Sequence, residues 1–129
     1  MNWPLLCRQA EAEVDRVRAQ LPRDIAELSS GVPVVCVRRP TRAMLDEGIE
    51  EDLLGLFVGP SMAERNEELD GGGAFDPLPA EILLFVENLW DYAEGDRSAF
   101  LEEVRVTYLH ELGHYLGLDE SDLSSRGLE

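Results

Sequence analysis

The stretch FLEEVRVTYLHELGHYLGLDE, residues 100–120, decides how this chain folds. Its apolar residues recur at three- and four-residue intervals, the spacing of one helical face, at Leu101, Val104, Tyr108, Leu112 and Tyr115. Ser98 precedes the run as the expected N-terminal cap, and Gly117 follows it as the expected C-terminal stop. The pattern predicts a helix from about Ser98 to Leu116. The helix is apolar on more than one side, so we expect it to be mostly buried at the centre of the fold.

This helix carries both histidines of the chain. His110 and His114 stand one turn apart, so their side chains share a face and can converge on one ion. Imidazole nitrogens bind zinc at ~2.0–2.1 Å, and catalytic zinc sites combine three protein ligands with a water molecule. Glu111 lies beside the first histidine and can reach that water. The HExxH pattern therefore predicts two metal ligands and a general base.

The predicted chemistry is hydrolysis. The metal lowers the pKa of its water toward ~7, and Glu111 takes a proton from it and returns the proton to the leaving amine. This predicts a zinc-dependent metallopeptidase that acts on peptide or protein substrates. The alternatives are a metal-dependent hydrolase of a non-peptide amide and a zinc-binding module without catalysis. HExxH is short, so a buried helix with two structural histidines is a further alternative.

The turn after the helix is expected to complete the metal site. Gly117 permits a left-handed backbone conformation that sends the chain back toward the ion. The spacing is HExxHxxGxxE, which places Glu120 where the metzincin pattern has its third histidine. Glu120 is the predicted third ligand, with Asp119 and then Asp122 as alternatives. Asp119 and Asp122 can instead cap a final short helix over 121–126.

Two better-known metal-site patterns, those of the metzincins and of thermolysin-like enzymes, do not match this sequence. The methionines, Met1, Met44 and Met62, all precede the motif, so the methionine turn of the metzincins is missing. The thermolysin-like pattern needs a glutamate on a separate downstream helix, but only fifteen residues follow His114.

The sequence resembles a family of small single-domain bacterial zincin-like metallopeptidases. The resemblance is carried by DLLGLFVG (52–59), PSMAER (60–65), EILLFVENL (81–89) and LEEVRVTYLHELGHYLGLDE (101–120). It implies a zincin-like α/β fold, metal binding by His110, His114 and the acid at position 120, and a catalytic role for Glu111. The usual family motif is HExxHxxGxxD, so Glu120 stands here in place of an aspartate and is one methylene longer.

The rest of the chain supplies a sheet and a backing helix. Leu6, Ala10, Val14, Val17 and Leu21 form one helical face that ends before Pro22. Apolar runs at 32–37, 53–59 and 81–86 predict strands, and 88–96 predicts a short helical turn. We therefore expect one domain over 1–129 of the α/β (α+β), zincin-like class, with a small mixed sheet packed on a backing helix and on the HExxH helix.

Two segments of this predicted fold bear on substrate binding. The strand at 53–59 is the expected sheet edge for pairing with an extended peptide. The long connection over 60–80 is either a substrate-covering loop or a plain connector.

Several other side chains are candidates for supporting roles. Thr107 and Glu103 precede His110 on the same helical face and could line the cleft or contact a ligand histidine. The developing oxyanion needs a donor, and the candidates are Tyr92, Tyr115, Arg105 and Arg126.

The composition of the chain limits the binding partners and the location that we expect for it. The formal net charge of −16 predicts no binding to nucleic acid or to anionic membranes, and no apolar run reaches the ~18–20 residues of a membrane span. The N-terminus turns polar after Cys7, which predicts a cytoplasmic protein without a secretory signal. Cys7 and Cys36 are expected to be buried free thiols, with a disulfide between them as the alternative. The oligomeric state is left open.

Overall fold

A three-stranded mixed sheet lies at the centre of the computed structural model, which describes residues 2–64 and 80–127. Along these residues the elements are α1 Trp3–Ala19, α2 Arg23–Ser29, β1 Val34–Val37, α3 Arg42–Asp46, β2 Gly55–Val58, β3 Glu81–Phe85, α4 Val86–Tyr92, α5 Arg97–Leu116 and α6 Glu120–Ser125. The predicted class, helices around a small mixed sheet, is confirmed. Most of the long connection over 60–80 lies outside the described residues.

β3 is the middle strand of the sheet. β1 pairs with it in parallel, with Val35 opposite Leu83, and β2 pairs with it antiparallel, with Leu56 opposite the same residue. Successive side chains of β3 from Ile82 to Phe85 are all buried, which explains its continuous apolar sequence, since a strand covered on both faces buries both sets of side chains. The predicted edge position of the second strand is confirmed, because β2 has only β3 beside it among the described strands.

The backing helix is α1. Its predicted apolar face is buried at Leu6, Ala10, Val14 and Val17, and it packs against α5, α4 and β1. Asn2 caps it by accepting a hydrogen bond from the Leu5 N–H at 3.0 Å. The Arg18 guanidinium donates to the Tyr108 hydroxyl at 3.0 Å, which ties α1 to the middle of α5.

The motif-bearing helix α5 is the longest described helix and buries Phe100, Val104, Tyr108 and Leu112. The expected cap at Ser98 is wrong. Asp96, two residues before the expected cap, is the N-cap and accepts from the Ala99 N–H at 2.8 Å, and the helix begins at Arg97. The expected stop is confirmed, because Gly117 has φ 74° and its N–H bonds back to the last turn.

The short helix predicted over 88–96 is displaced. α4 starts at Val86, immediately after β3, and ends at Tyr92. This placement buries Asn88, whose amide donates to the carbonyls of Glu51 and Leu53 at 2.8 and 2.9 Å. Asn88 therefore fixes the segment that leads into β2.

Two further observations bear on the sequence predictions. Cys7 and Cys36 are free thiols, each half-buried, and burial raises the pKa of the Cys36 thiol. A raised pKa keeps a thiol protonated and weakly nucleophilic. In the part of the chain that the structure describes, every helix is too short or too polar to cross a membrane.

Candidate metal centre

The two histidines of α5 face the same cleft. Their rings have centroids 4.6 Å apart, and both side chains line an open cleft of about 490 Å³. The structure thus brings His110 and His114 together on the exposed side of a helix that buries Leu109, Leu112 and Tyr115. Helical geometry alone accounts for this, since residues four apart lie one above the other.

The fit to a metal ion can be tested on the donor atoms. Among the described residues, one His/Cys/Asp/Glu group could hold a metal ion, and it consists of His110, Glu111 and His114, with candidate ligand atoms within 4.8 Å of one another. Two imidazole nitrogens on one tetrahedral zinc ion at ~2.0–2.1 Å lie about 3.4 Å apart. Side chains whose ligand atoms are grouped within 4.8 Å can reach such spacings by small rotations, so the residues present fit a zinc ion.

Glu111 is buried although it is an acid, with 8% of its surface exposed. Its Oε1 accepts a hydrogen bond from the backbone N–H of Phe57 in β2, at 3.0 Å. The same oxygen lies 3.3 Å from Nδ1 of His114. A proton on Nδ1 would lie beside this oxygen, which leaves Nε2 of His114 with a lone pair for a metal.

β2 can approach Glu111 closely because of a glycine. A Cβ built on Gly55 would lie 2.5 Å from the Thr107 methyl and 3.2 Å from the Leu83 carbonyl oxygen. Both distances are shorter than van der Waals contact. Gly55 therefore brings the edge strand onto α5, at the level of Glu111.

Gly55→Ala should lower the free energy of unfolding by about 1–3 kcal/mol, the usual cost of overpacking a close contact. Urea unfolding of the purified protein measures this. Gly31→Ala is the matched control, because a Cβ there meets nothing within 4 Å, and we expect it to change stability by less than about 1 kcal/mol in either direction. Equal unfolding midpoints for the two variants would contradict the close-contact explanation.

The turn after α5 and the start of the last helix line the same cleft as the histidines. The lining residues from this segment are Gly117, Leu118, Asp119 and Leu123. Gly113 lets α6 pack there, since a Cβ on it would lie 3.1 Å from the Leu123 side chain. The chain after Gly117 thus returns to the side of the cleft on which the histidines lie.

The acids at the start of α6 have different surroundings. Asp119 is the N-cap of α6: its Oδ1 accepts from the Asp122 N–H at 2.8 Å, and Asp122 Oδ2 accepts from the Asp119 N–H at 3.1 Å. This reciprocal capping box is the alternative role expected for both residues. Glu120 is the first residue of α6, and its side chain lies outside what the structure describes. The predicted ligand at position 120 stays a prediction.

The supporting candidates occupy other places. Thr107 is buried and packs its methyl toward Gly55. Tyr115 is buried, and its ring meets Phe57 edge-on at 5.8 Å. Tyr92 lines a different groove, beside Arg39 and Asp91.

The two arginine candidates are engaged with acids. Arg105 pairs with Glu102, and Arg126 lies 3.8 Å from Asp24. Neither arginine is among the described residues that line the cleft, and the same holds for Tyr92, Tyr115, Thr107 and Glu103.

Sequence reasoning missed one polar contact of the site, the Phe57 amide. A backbone N–H has no residue-type signature, so only the position of β2 reveals it. Gly55 interrupts an apolar run of the sequence, and its close approach to α5 explains that interruption.

Comparison with known proteins agrees with the geometry. A family model described as zincin-like metallopeptidase matches residues 29–128. No curated protein matches the chain. The match spans the sheet, the HExxH helix and the turn that follows it, and families of this kind carry a metal, typically zinc. The chain belongs to the zincin-like metallopeptidase family.

Proposed function

We propose that this protein is a zinc-dependent peptidase that hydrolyses peptide bonds with Glu111 as the general base. One observation carries the proposal: a buried carboxylate lies between the two histidines of a fitting metal group and an edge strand. A zinc-binding module without catalysis could use an acid at that place only to orient His114, whereas a peptidase also needs it as the base.

His110 and His114 would hold the metal, and Glu120 is proposed as the third protein ligand. Glu120 starts the helix that follows the Gly117 turn, and the family motif has an acid at that position. When bound, zinc supplies a Lewis acid that makes water nucleophilic near neutral pH.

Glu111 is placed for proton transfer. Burial keeps its carboxylate away from bulk water, and the Phe57 N–H fixes one of its oxygens. The other oxygen, Oε2, is the one we assign to the proton, taking it from the attacking water and returning it to the leaving amine.

An extended peptide would bind along β2. The strand lies at the edge of the sheet, beside the base, so a peptide added to this edge would carry its backbone past Glu111. The cleft beside the histidines, of about 490 Å³, has the size of ordinary ligand sites, and its described lining comes from α5, α6 and the turn between them and not from β2.

Incubation with an unbiased peptide library tests the proposal. The zinc-loaded wild type should cut peptides, a chelator should stop the cutting, and added zinc should restore it. The matched control is the double variant His110→Ala/His114→Ala, which should cut nothing at any zinc concentration. If the zinc-loaded wild type leaves the library intact, the peptidase proposal is wrong.

The same assay separates the two alternatives. Cleavage of a panel of small non-peptide amides, with the peptides intact, would indicate a hydrolase of another amide. Stoichiometric zinc binding with a raised Tm, and no turnover of either class, would indicate a binding module.

A further inference from the structure

Successive residues of β2 direct their backbone N–H and C=O groups alternately toward β3 and away from it. Phe85 N–H donates to the Leu54 carbonyl at 3.0 Å, and hydrogen-bonded and non-bonded pairs alternate along an antiparallel ladder. Leu56, two residues on, therefore turns its N–H and C=O toward β3. Gly55 and Phe57 turn theirs away from β3, toward the free edge of the sheet.

Glu111 accepts a hydrogen bond from the outward-facing N–H of Phe57. The bond is 3.0 Å long and runs to Oε1. The second contact of this carboxylate in the described part of the chain, at 3.3 Å with His114 Nδ1, also involves Oε1. The Phe57 hydrogen bond therefore holds Oε1, the oxygen that also lies near His114, and leaves Oε2 for chemistry.

From this geometry we propose that the backbone amide of Phe57 is a positioning group for Glu111, an inference that rests on the peptidase function proposed above. The amide holds Oε1 so that Oε2 faces the water that attacks the substrate. Gly55 makes this possible by letting β2 lie close to α5.

A second consequence concerns the bound peptide. An added strand normally forms hydrogen bonds with the N–H and C=O groups of every outward-facing residue of the edge strand. The Phe57 N–H is already used, so the peptide pairs with β2 through Gly55 and through the Phe57 carbonyl alone. The base thereby sets the register of the substrate along the strand.

Phe57→Pro removes this amide and tests its role. Proline is tolerated on an edge strand where the missing N–H faces away from the neighbouring strand, so the ladder with β3 should survive. Phe57→Ala is the matched control, because it loses the ring contact with Tyr115 and keeps the amide. On a peptide cut by the wild type, kcat should fall about 10- to 100-fold in Phe57→Pro, the cost of a ~1 Å misplacement.

The control readings identify the cause of that loss. In Phe57→Pro, KM and zinc affinity should stay within about threefold of the wild type, because a positioning defect acts on turnover and not on ligand binding. Phe57→Ala keeps the amide, so its kcat should exceed that of Phe57→Pro by about tenfold or more. Equal kcat values for the two variants would overturn the proposal.

Amide hydrogen exchange gives a reading that needs no substrate. In the zinc-loaded wild type the Phe57 amide should be protected, and Glu111→Ala should speed its exchange by about tenfold or more, since a hydrogen bond to a charged group is lost. Glu111→Gln should keep most of the protection, because its amide oxygen still accepts. If Glu111→Ala leaves the Phe57 exchange rate unchanged, the amide does not hold the carboxylate.

The exchange measurement remains decisive if Phe57→Pro fails to fold. It also separates this inference from the peptidase proposal. An intact peptide library would refute the peptidase function, whereas the exchange rate reports the positioning contact itself.

Discussion

Glu111→Gln should lower the turnover of cleaved peptides by about 10²- to 10⁴-fold, the usual contribution of a general base. Glutamine keeps the size of the side chain and an oxygen that can accept from the Phe57 N–H, so the packing between α5 and β2 should persist. Its amide cannot take a proton from water at neutral pH. Steady-state kinetics on a peptide selected from the library measures the loss.

Glu102→Gln is the control for charge. It removes the same negative charge from the same helix, at an exposed position paired with Arg105, and we expect turnover near that of the wild type. Zinc affinity should stay within about tenfold of the wild type in both variants, because glutamine keeps an oxygen beside Nδ1 of His114. Complete loss of a group that orients a metal ligand usually costs about 10–100-fold. If Glu111→Gln turns over peptides as fast as Glu102→Gln does, Glu111 is not the base.

Glu120→Ala should weaken zinc binding by more than about 100-fold. Residues that merely orient a metal ligand already cost about 10–100-fold when they are replaced, and loss of a ligand should exceed that. A competition titration with a chromophoric zinc chelator measures the affinity. Glu120→Asp, which restores the usual residue of the family motif, should recover most of it.

Asp119→Ala is the matched variant one residue away. Its carboxylate caps α6 by accepting from the Asp122 N–H, so its loss should cost about 1 kcal/mol of stability and less than about tenfold in zinc affinity. A larger effect on affinity from Asp119→Ala than from Glu120→Ala would reverse the ligand assignment.

Elements with a strong local signal were predictable from the sequence. The apolar spacing of α1 and α5 gave both helices and their buried faces, and Gly117 gave the end of α5. These predictions succeed because the signal and the structure lie within the same few residues.

Element boundaries depended on context. Asp96 and Ser98 are both good capping residues, and the chain uses Asp96, directly after the turn at Gly95. α4 begins inside an apolar run that also suits a strand, and Phe85 caps it without a side-chain bond. α2 similarly begins after Pro22 without a side-chain cap, so neither start carries a polar signal.

The candidate site likewise has one part that the sequence predicts and one part that it does not. The motif places His110, Glu111 and His114 together because one helix carries all three. The contact with Phe57 joins residues 54 positions apart through a backbone group. A single sequence reveals neither the distance nor the donor, so this part of the site required the fold.

The bond between Glu111 and Phe57 also bears on self-association. An open sheet edge offers unpaired backbone groups to other copies of the chain, and proteins commonly blunt such edges. β2 is short, running from Gly55 to Val58, and its outward donor at Phe57 is already satisfied within the same molecule. A second copy arriving at this edge would find an acidic side chain where it needs a free amide. The residue proposed to cut peptides should thus also help to keep β2 from joining another sheet.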